Sequence, residues 1–423
     1  MRAYPALILR YLTSPGGKAL VAANLLFAGL VAGGVPLAGS GVVVAIAITM
    51  GWGALLLLTH RIALPAHWQA WLAAGAFALF FFTEAFTTVL AGPGEDGLKE
   101  IGENLPFLGA LPLFALLAVS GRRLLAGMSA GAAAGAMAAL AAVPLFPFHA
   151  GMRIELIAGN PLVLGLAAAV MYGLALHGAI RLAGRLRWFC LAGALAAAAL
   201  VVLSGSRTFW IALLMTPIVL AAIHMRPGIR SGLTLAGALV MLWGAGLGAY
   251  TFLPPVHERV EAVIVDVEKA RQGDLDTSFG QRLILWRSAV SLITEKPLTG
   301  HGGGDIPALM AERNAELSRY DFAMTHFHNG VLNVLVRGGA VNLIGFLAAF
   351  LAPIILLWMN RNHADGRNAL AAGCALYIPF VLSGTTGIAF GHDIHDSLFI
   401  GLCVLCLHAS FGKGGEALPR DPS

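Results

Sequence analysis

Residues 323–359 read AMTHFHNGVLNVLVRGGAVNLIGFLAAFLAPIILLWM. From Ala340 onward the stretch is almost wholly apolar, and its twenty residues to Met359 suffice for a hydrocarbon core of about 30 Å. The first part crowds His326, His328, Asn329 and Arg337 into twelve positions. A single helix from His326 to Met359 would run roughly 51 Å, too long for lipid alone. Arg337 is therefore expected near the outer boundary, with His326–Asn329 above it or folded back over a helical bundle. Two histidines two positions apart point different ways on a helix, and they lack the i, i+4 spacing of a helical metal pair.

The rest of the chain agrees with a membrane setting. Its 423 residues are 58% hydrophobic and 12% charged, with mean hydropathy +0.79, against about 45–50% apolar and about 25% charged in soluble domains. The expected fold is an all-α integral membrane protein of about twelve transmembrane helices. The spans are read at 19–38, 41–58, 66–90, 105–120, 124–148, 156–180, 188–204, 208–224, 231–253, 338–359, 368–388 and 394–410. This divides the chain into spans one to nine within 1–253, an external loop at 254–325, spans ten to twelve within 326–410, and a cytoplasmic tail at 411–423.

Sidedness follows from arginine and lysine. One side collects Arg2, Arg10, Lys18, Arg61, Arg122, Arg123, Arg181, Arg185, Arg187, Arg226, Arg230, Arg361, Arg367, Lys413 and Arg420. The short loops of the other hold Lys99, Arg153 and Arg207. The positive-inside rule puts both termini in the cytoplasm. MRAYPALILRYLTSPGGK precedes no usual cleavage site, so the first span is expected to direct insertion. Four cysteines in or near apolar runs argue against a disulfide framework or zinc site. No basic–aromatic interleaving indicates nucleic acid, and no P-loop pattern indicates ATP.

The 254–325 loop is too long for a plain connection. ERVEAVIVDVEKAR (258–271) carries Val260, Val263, Ile264 and Val267 at helical spacing. FGQRLILWRSAVSLIT (279–294) does the same with Leu283, Trp286, Val290 and Ile293. KPLTGHGGGD (296–305) follows, rich in glycine as a close backbone approach requires.

Histidine is the side chain best suited to take a proton near neutral pH. Three arginines at external positions, Arg207 in LSGSRTFW, Arg282 and Arg337, are candidates to converge with it on one pocket. Guanidinium groups bind phosphate bidentately, so such a pocket, opening to lipid, suits a lipid-linked phosphate. Secondary candidates are His326, Asn329, Trp286 as a sugar-stacking surface, and Arg287. FGHDIHDS (390–397) adds His392 and His395 as a polar cap or acceptor-binding group. Glu84 is the one acid placed within hydrocarbon reach, and intramembrane acids are functional candidates by default.

LSGSR before a span, QRLILWRSAV followed by KPLTGHGGG, and HNGVLNVLVRGG together resemble the O-antigen ligase family, over about residues 190–360. The family pattern is His, then Asn, Ser or Gln, nine residues, Gly, two residues, Gly. His328, Asn329 and Gly339 match; Asn342 stands in the last glycine position. The resemblance implies a periplasmic loop late in the chain, His328 as the catalytic histidine with His326 secondary, and Arg207 and Arg282 as essential. It implies glycan transfer from undecaprenyl pyrophosphate to a sugar hydroxyl of lipid A–core, with inversion, on the periplasmic face of the bacterial inner membrane. His328 would take the acceptor proton, and Arg207, Arg282 and Arg337 would hold the pyrophosphate. Neither cofactor nor metal is required. The alternatives are an O-antigen polymerase or a protein-directed oligosaccharyltransferase of the same chemistry. A secondary transporter would belong to a different class; the spans show no half-to-half repeat in its favour.

Overall fold

A long apolar run satisfies its backbone in lipid by coiling, and among the described residues the computed structural model is helical with no strand. It describes residues 15–92, 94–146, 153–225, 229–252, 254–317 and 324–411. The expected cytoplasmic tail beyond 411 and the basic residues Arg2, Arg10 and Arg226 lie outside these ranges.

In chain order the helices are α1 Pro15–Gly33, α2 Gly41–Leu58, α3 Trp68–Ala91, α4 Gly94–Glu103, α5 Ala110–Leu116, α6 Gly121–Ala142, α7 Pro161–Arg181 and α8 Gly184–Leu203. They continue as α9 Arg207–His224, α10 Ile229–Phe252, α11 Pro254–Arg271, α12 Ser278–Glu295, α13 Ile306–Leu317, α14 Gly330–Met359, α15 Gly366–Thr386 and α16 Asp393–Ser410. Among the described residues nine helices are long and apolar enough to cross a membrane: α2, α3, α6, α7, α8, α9, α14, α15 and α16. A shorter apolar helix covers Lys18–Gly33, and the 24-residue α10 lies over the expected span at 231–253.

The expected span at 105–120 takes another form. Pro106 and Pro112 remove two helical donors, and the segment becomes a 3₁₀ turn at Leu105–Gly109, the seven-residue α5 and an extended stretch at 117–120. Uncoiled backbone inside the bundle needs partners, and buried Asn24 supplies them. Its Oδ1 accepts from the Ala118 and Val119 amides at 2.7 and 3.3 Å, and its Nδ2 donates to the Leu116 carbonyl at 3.4 Å.

The helices buried most completely are α7 and α16, each with 89% of its apolar window enclosed. A helix apolar all round belongs inside a bundle, and each of these two packs against several neighbouring helices. In the first half close packing rests on small residues. Gly29 and Gly33 of α1 lie against Gly131 and Gly135 of α6 so tightly that a methyl on any of three of them would overlap backbone of the other helix, the small-xxx-small solution of membrane helices. The second half packs through aromatic rings. Phe390 sits among Phe80, Phe107, Phe346, Phe350 and Phe399 with centroids 5.0–5.9 Å apart, a rigid floor beneath the loop that carries His392.

Candidate active site

The opening stretch divides at Asn329. Its side chain caps α14, Oδ1 accepting from the Val331 and Leu332 amides at 3.1 Å each, so the helix begins after the histidines. His326, Phe327 and His328 are not helical and alternate. Phe327 is fully buried in a small apolar core with Leu285, Leu292, Ile306, Met310 and Val336. The two histidines share the other side, with ring centroids 4.2 Å apart. The expectation that they diverge assumed a helix and is corrected by the cap.

His328 has φ of 50°, a left-handed conformation that costs a β-carbon-bearing residue energy and marks functional sites. It is held there. The His328 amide donates to Nδ1 of His326 at 3.1 Å, and His328 Nδ1 lies 3.4 Å from the Thr386 carbonyl. A carbonyl accepts only from N–H, so the proton sits on Nδ1 and the lone pair on Nε2. Burial lowers the pKa of His328 below the ordinary 6.5, Arg282 lowers it further, and the Thr386 carbonyl partly opposes both. His326 is pushed down to about 4 by burial first, then by His328, Arg282 and His392.

Arg282 lies in the first turns of α12, whose cap is Thr277, its hydroxyl accepting from Gly280 N–H at 3.0 Å. Burial and then the charge of Arg207 hold the Arg282 guanidinium below its ordinary pKa. Arg282 therefore lies within electrostatic reach of both Arg207 and His328, although 121 positions separate those two. Arg207 opens α9 after a braced turn. Arg153 donates to the Ser204 carbonyl at 3.0 Å and to the Ser206 hydroxyl at 2.7 Å, and Ser206 donates to the Pro161 carbonyl at 3.0 Å. The next residue, Thr208, is hydrogen bonded to Thr386 hydroxyl to hydroxyl at 3.0 Å. The LSGSR turn and His328 thus meet on one threonine. Sequence reading counted Arg153 as a loop cation and gave Thr386 no role; neither had a local signal.

Arg337 has a setting of its own, between two carboxylates. Its side chain is 11% exposed and paired with Glu84 at 2.5 Å and with Glu100. Glu84 also accepts from Asn342, which accepts in turn from Thr83 at 3.1 Å. Burial lifts the Glu100 carboxyl above its ordinary pKa even though Arg337 pulls the other way. Asn342, the departure from the family glycine, is thus absorbed into a buried ion network.

That network stands at a break in α14. Gly339 has φ 58° and ψ −154° within the helix, and 296–303 runs along the break. Ala340 and Val341 amides donate to the Pro297 and Leu298 carbonyls at 2.9 and 3.1 Å, while His301 and Gly302 amides donate to the Val336 and Arg337 carbonyls at 2.8 and 2.7 Å. A Cβ at Gly300 would strike the Arg337 backbone. Broken helix at membrane depth is tolerated where protein satisfies it, which is what the GHGGG run does.

The remaining candidates separate cleanly. Trp286 packs on the Phe327 core, and Arg287 is exposed. The buried stripe of α12 is Ile284, Leu285, Ser288, Ala289 and Leu292, displaced from the expected one, with Val290 53% exposed. In α11 the expected face is open, with Val263 and Ile264 exposed. His392 caps α16, accepting from Ile394 N–H at 3.3 Å, and its ring lies tilted, 5.0 Å between centroids, against that of His395, whose buried nitrogens have no hydrogen-bond partner. Among the described residues no three metal-ligating side chains cluster.

The comparisons with known proteins bear on this region. An uncharacterized protein of Haemophilus influenzae is 26% identical over 299 residues, 68% of this chain and 72% of the relative. The family model described as O-Antigen ligase matches residues 192–347, an interval that contains Arg207, Arg282, His328 and Arg337. By that match residues 192–347, a little over a third of the chain, are similar to the O-Antigen ligase family.

Proposed function

We propose that the chain is an O-antigen ligase, joining a glycan carried on undecaprenyl pyrophosphate to a sugar hydroxyl of lipid A–core. The single observation that carries the reading is the placement of His328, in a strained backbone conformation with its lone pair on Nε2, within the field of Arg282, which in turn feels Arg207. In this proposal Nε2 takes the acceptor hydroxyl proton, and the oxygen attacks the anomeric carbon from the face opposite the leaving group. The bond from that carbon to pyrophosphate breaks with its electron pair on the phosphate oxygen, and configuration inverts. Arg207 and Arg282 hold the pyrophosphate and stabilise its growing charge. Bound pyrophosphate also offsets Arg282, which restores basicity to His328 when the proton must move. Arg337 is reassigned: with two carboxylates on it, it braces the break in α14. The arginine bias puts this end of the bundle in the periplasm of the inner membrane, with 254–325 as a periplasmic cover and both termini cytoplasmic.

Purified protein mixed with undecaprenyl-pyrophosphate glycan and rough lipopolysaccharide, with chelator and without ATP, should give a ladder of glycosylated lipid A–core. Elongated lipid-linked glycan in place of that ladder would identify a polymerase. A requirement for metal would overturn the mechanism, and ion-coupled uptake without transfer would overturn the enzyme.

A further inference from the structure

At the far end of the same helices lies a second concentration of cations. Arg207 opens the 18-residue α9 at the candidate active site, and His224 closes it, roughly 26 Å away. α14 and α15 likewise join the two ends: His328 precedes α14 and Arg361 follows it, while Thr386 ends α15 and Arg367 begins it. Around this second end Arg122, Arg181, His224, Arg361, His363 and Arg367 line a cavity of about 380 Å³, within the size range of small-ligand sites.

Basic residues at helix ends are ordinary in membrane proteins, where they fix orientation. These do more than face water. They converge from the ends of five helices on one hollow, and no carboxylate lines it among the described residues. The nearby Asp365 pairs with Arg122 at 3.4 Å, leaving the other three arginines in excess over acid. His224 Nε2 is buried without a hydrogen-bond partner, as is Nε2 of His177, whose ring lies 5.9 Å from that of His224. A buried imidazole nitrogen left unmet costs free energy. An anion oxygen in the hollow would meet the His224 nitrogen and screen the mutual repulsion of the guanidinium groups.

We infer that this hollow binds a phosphate-bearing anion, and that its natural occupant is the headgroup phosphate of an anionic phospholipid. Arginine suits phosphate because its planar fork presents paired donors. The lipid source is favoured by Arg361, whose guanidinium stacks 4.4 Å over Trp358. Trp358 is 57% exposed on the outer face of α14, where an amphipathic ring marks the headgroup level of the bilayer. The site is independent of glycan transfer and shares no residue with it.

The full chain in neutral detergent would be titrated with dihexanoyl phosphatidylglycerol, with dihexanoyl phosphatidylcholine and with inorganic phosphate, following the thermal midpoint. A ligand bound only by the folded state raises that midpoint saturably. Phosphatidylglycerol should raise it and phosphatidylcholine should not. The double variant Arg361→Gln/Arg367→Gln should move half-saturation up by about tenfold or more, about 1.4 kcal/mol. Arg187→Gln, at an exposed arginine outside the hollow, should leave it unchanged. Equal, arginine-dependent shifts with inorganic phosphate would overturn the lipid source. Absence of any saturable shift, or the same response in the double variant, would overturn the site itself.

Discussion

Arg337 and Arg282 both stand near one mouth of the bundle, and their surroundings are opposite. Arg337 is enclosed by the carboxylates of Glu84 and Glu100, with Asn342 completing the network. Arg282 is disfavoured first by burial and then by a second guanidinium, Arg207. The first arrangement is electrically closed and needs nothing from outside. The second is where the proposed function places the pyrophosphate. In the proposed function the contrast separates an arginine that builds the site from arginines that use it, although all three looked alike in the sequence.

The largest expected effect tests the open side. His328→Ala should lower transfer by roughly 10²–10⁴-fold, the usual contribution of a general base, with the thermal midpoint nearly unchanged. Transfer near the wild-type rate would remove His328 from the chemistry and leave the two cations without a base between them.

Next comes the closed side. Arg337→Gln leaves two largely buried carboxylates uncompensated, and breaking a buried pair costs about 3–5 kcal/mol. Stability in denaturant titration should fall by that order. Adding Glu84→Gln should return part of the loss, because the acid that needed Arg337 is gone. Strictly additive losses in that cycle would mean that Arg337 and Glu84 do not act as a unit, and Arg337 would rejoin the anion-binding candidates.

Arg207→Lys keeps the charge and loses the fork. If Arg207 grips pyrophosphate bidentately, one charge-assisted contact is lost, worth about 1.5–3 kcal/mol, and the rate should drop roughly 10- to 100-fold while folding is retained. An unchanged rate would show that Arg207 supplies charge alone.

How much of this was legible depended on distance along the chain. Helices were readable because apolar runs are local: α2 falls on the expected 41–58, and α9 and α16 lie within a residue of their spans. The span at 105–120 breaks as a helix at Pro106 and Pro112, and the uncoiled end that follows is satisfied by Asn24, more than ninety positions upstream. The same holds at the site. The HNG stretch announced a histidine, and GHGGG announced close approach. That the glycines serve α14, that Glu84 occupies Arg337 and that Thr386 joins His328 to Thr208 are contacts across 35 to 253 positions, for which a single sequence carries no mark.

A smaller effect tests the cap that sets the two histidines side by side. Asn329→Ala removes the oxygen that accepts two amide donors and should cost about 1 kcal/mol. Asn329→Ser, also a capping residue, should recover most of it. Because the cap fixes where α14 begins, transfer should fall with Ala and return with Ser. Stability recovered without transfer would give Asn329 a second role beyond the cap.

The smallest effect is in pH, and its sign follows from burial. His328 has a pKa lowered from 6.5, by burial first and by Arg282 second. The working base is the neutral form, so falling pH should inhibit only below 6.5, with the acid limb of kcat/KM lying beneath the ordinary histidine value. Stability follows the same direction. His326, pushed down to about 4, stays neutral in the fold while its unfolded counterpart takes up a proton near 6.5. Its contribution is therefore complete above 6.5 and is lost as pH falls from there towards 4. An acid limb above 6.5 would require a histidine stabilised in its charged form, which would place a carboxylate rather than Arg282 beside the base and reverse the contrast between the two arginines.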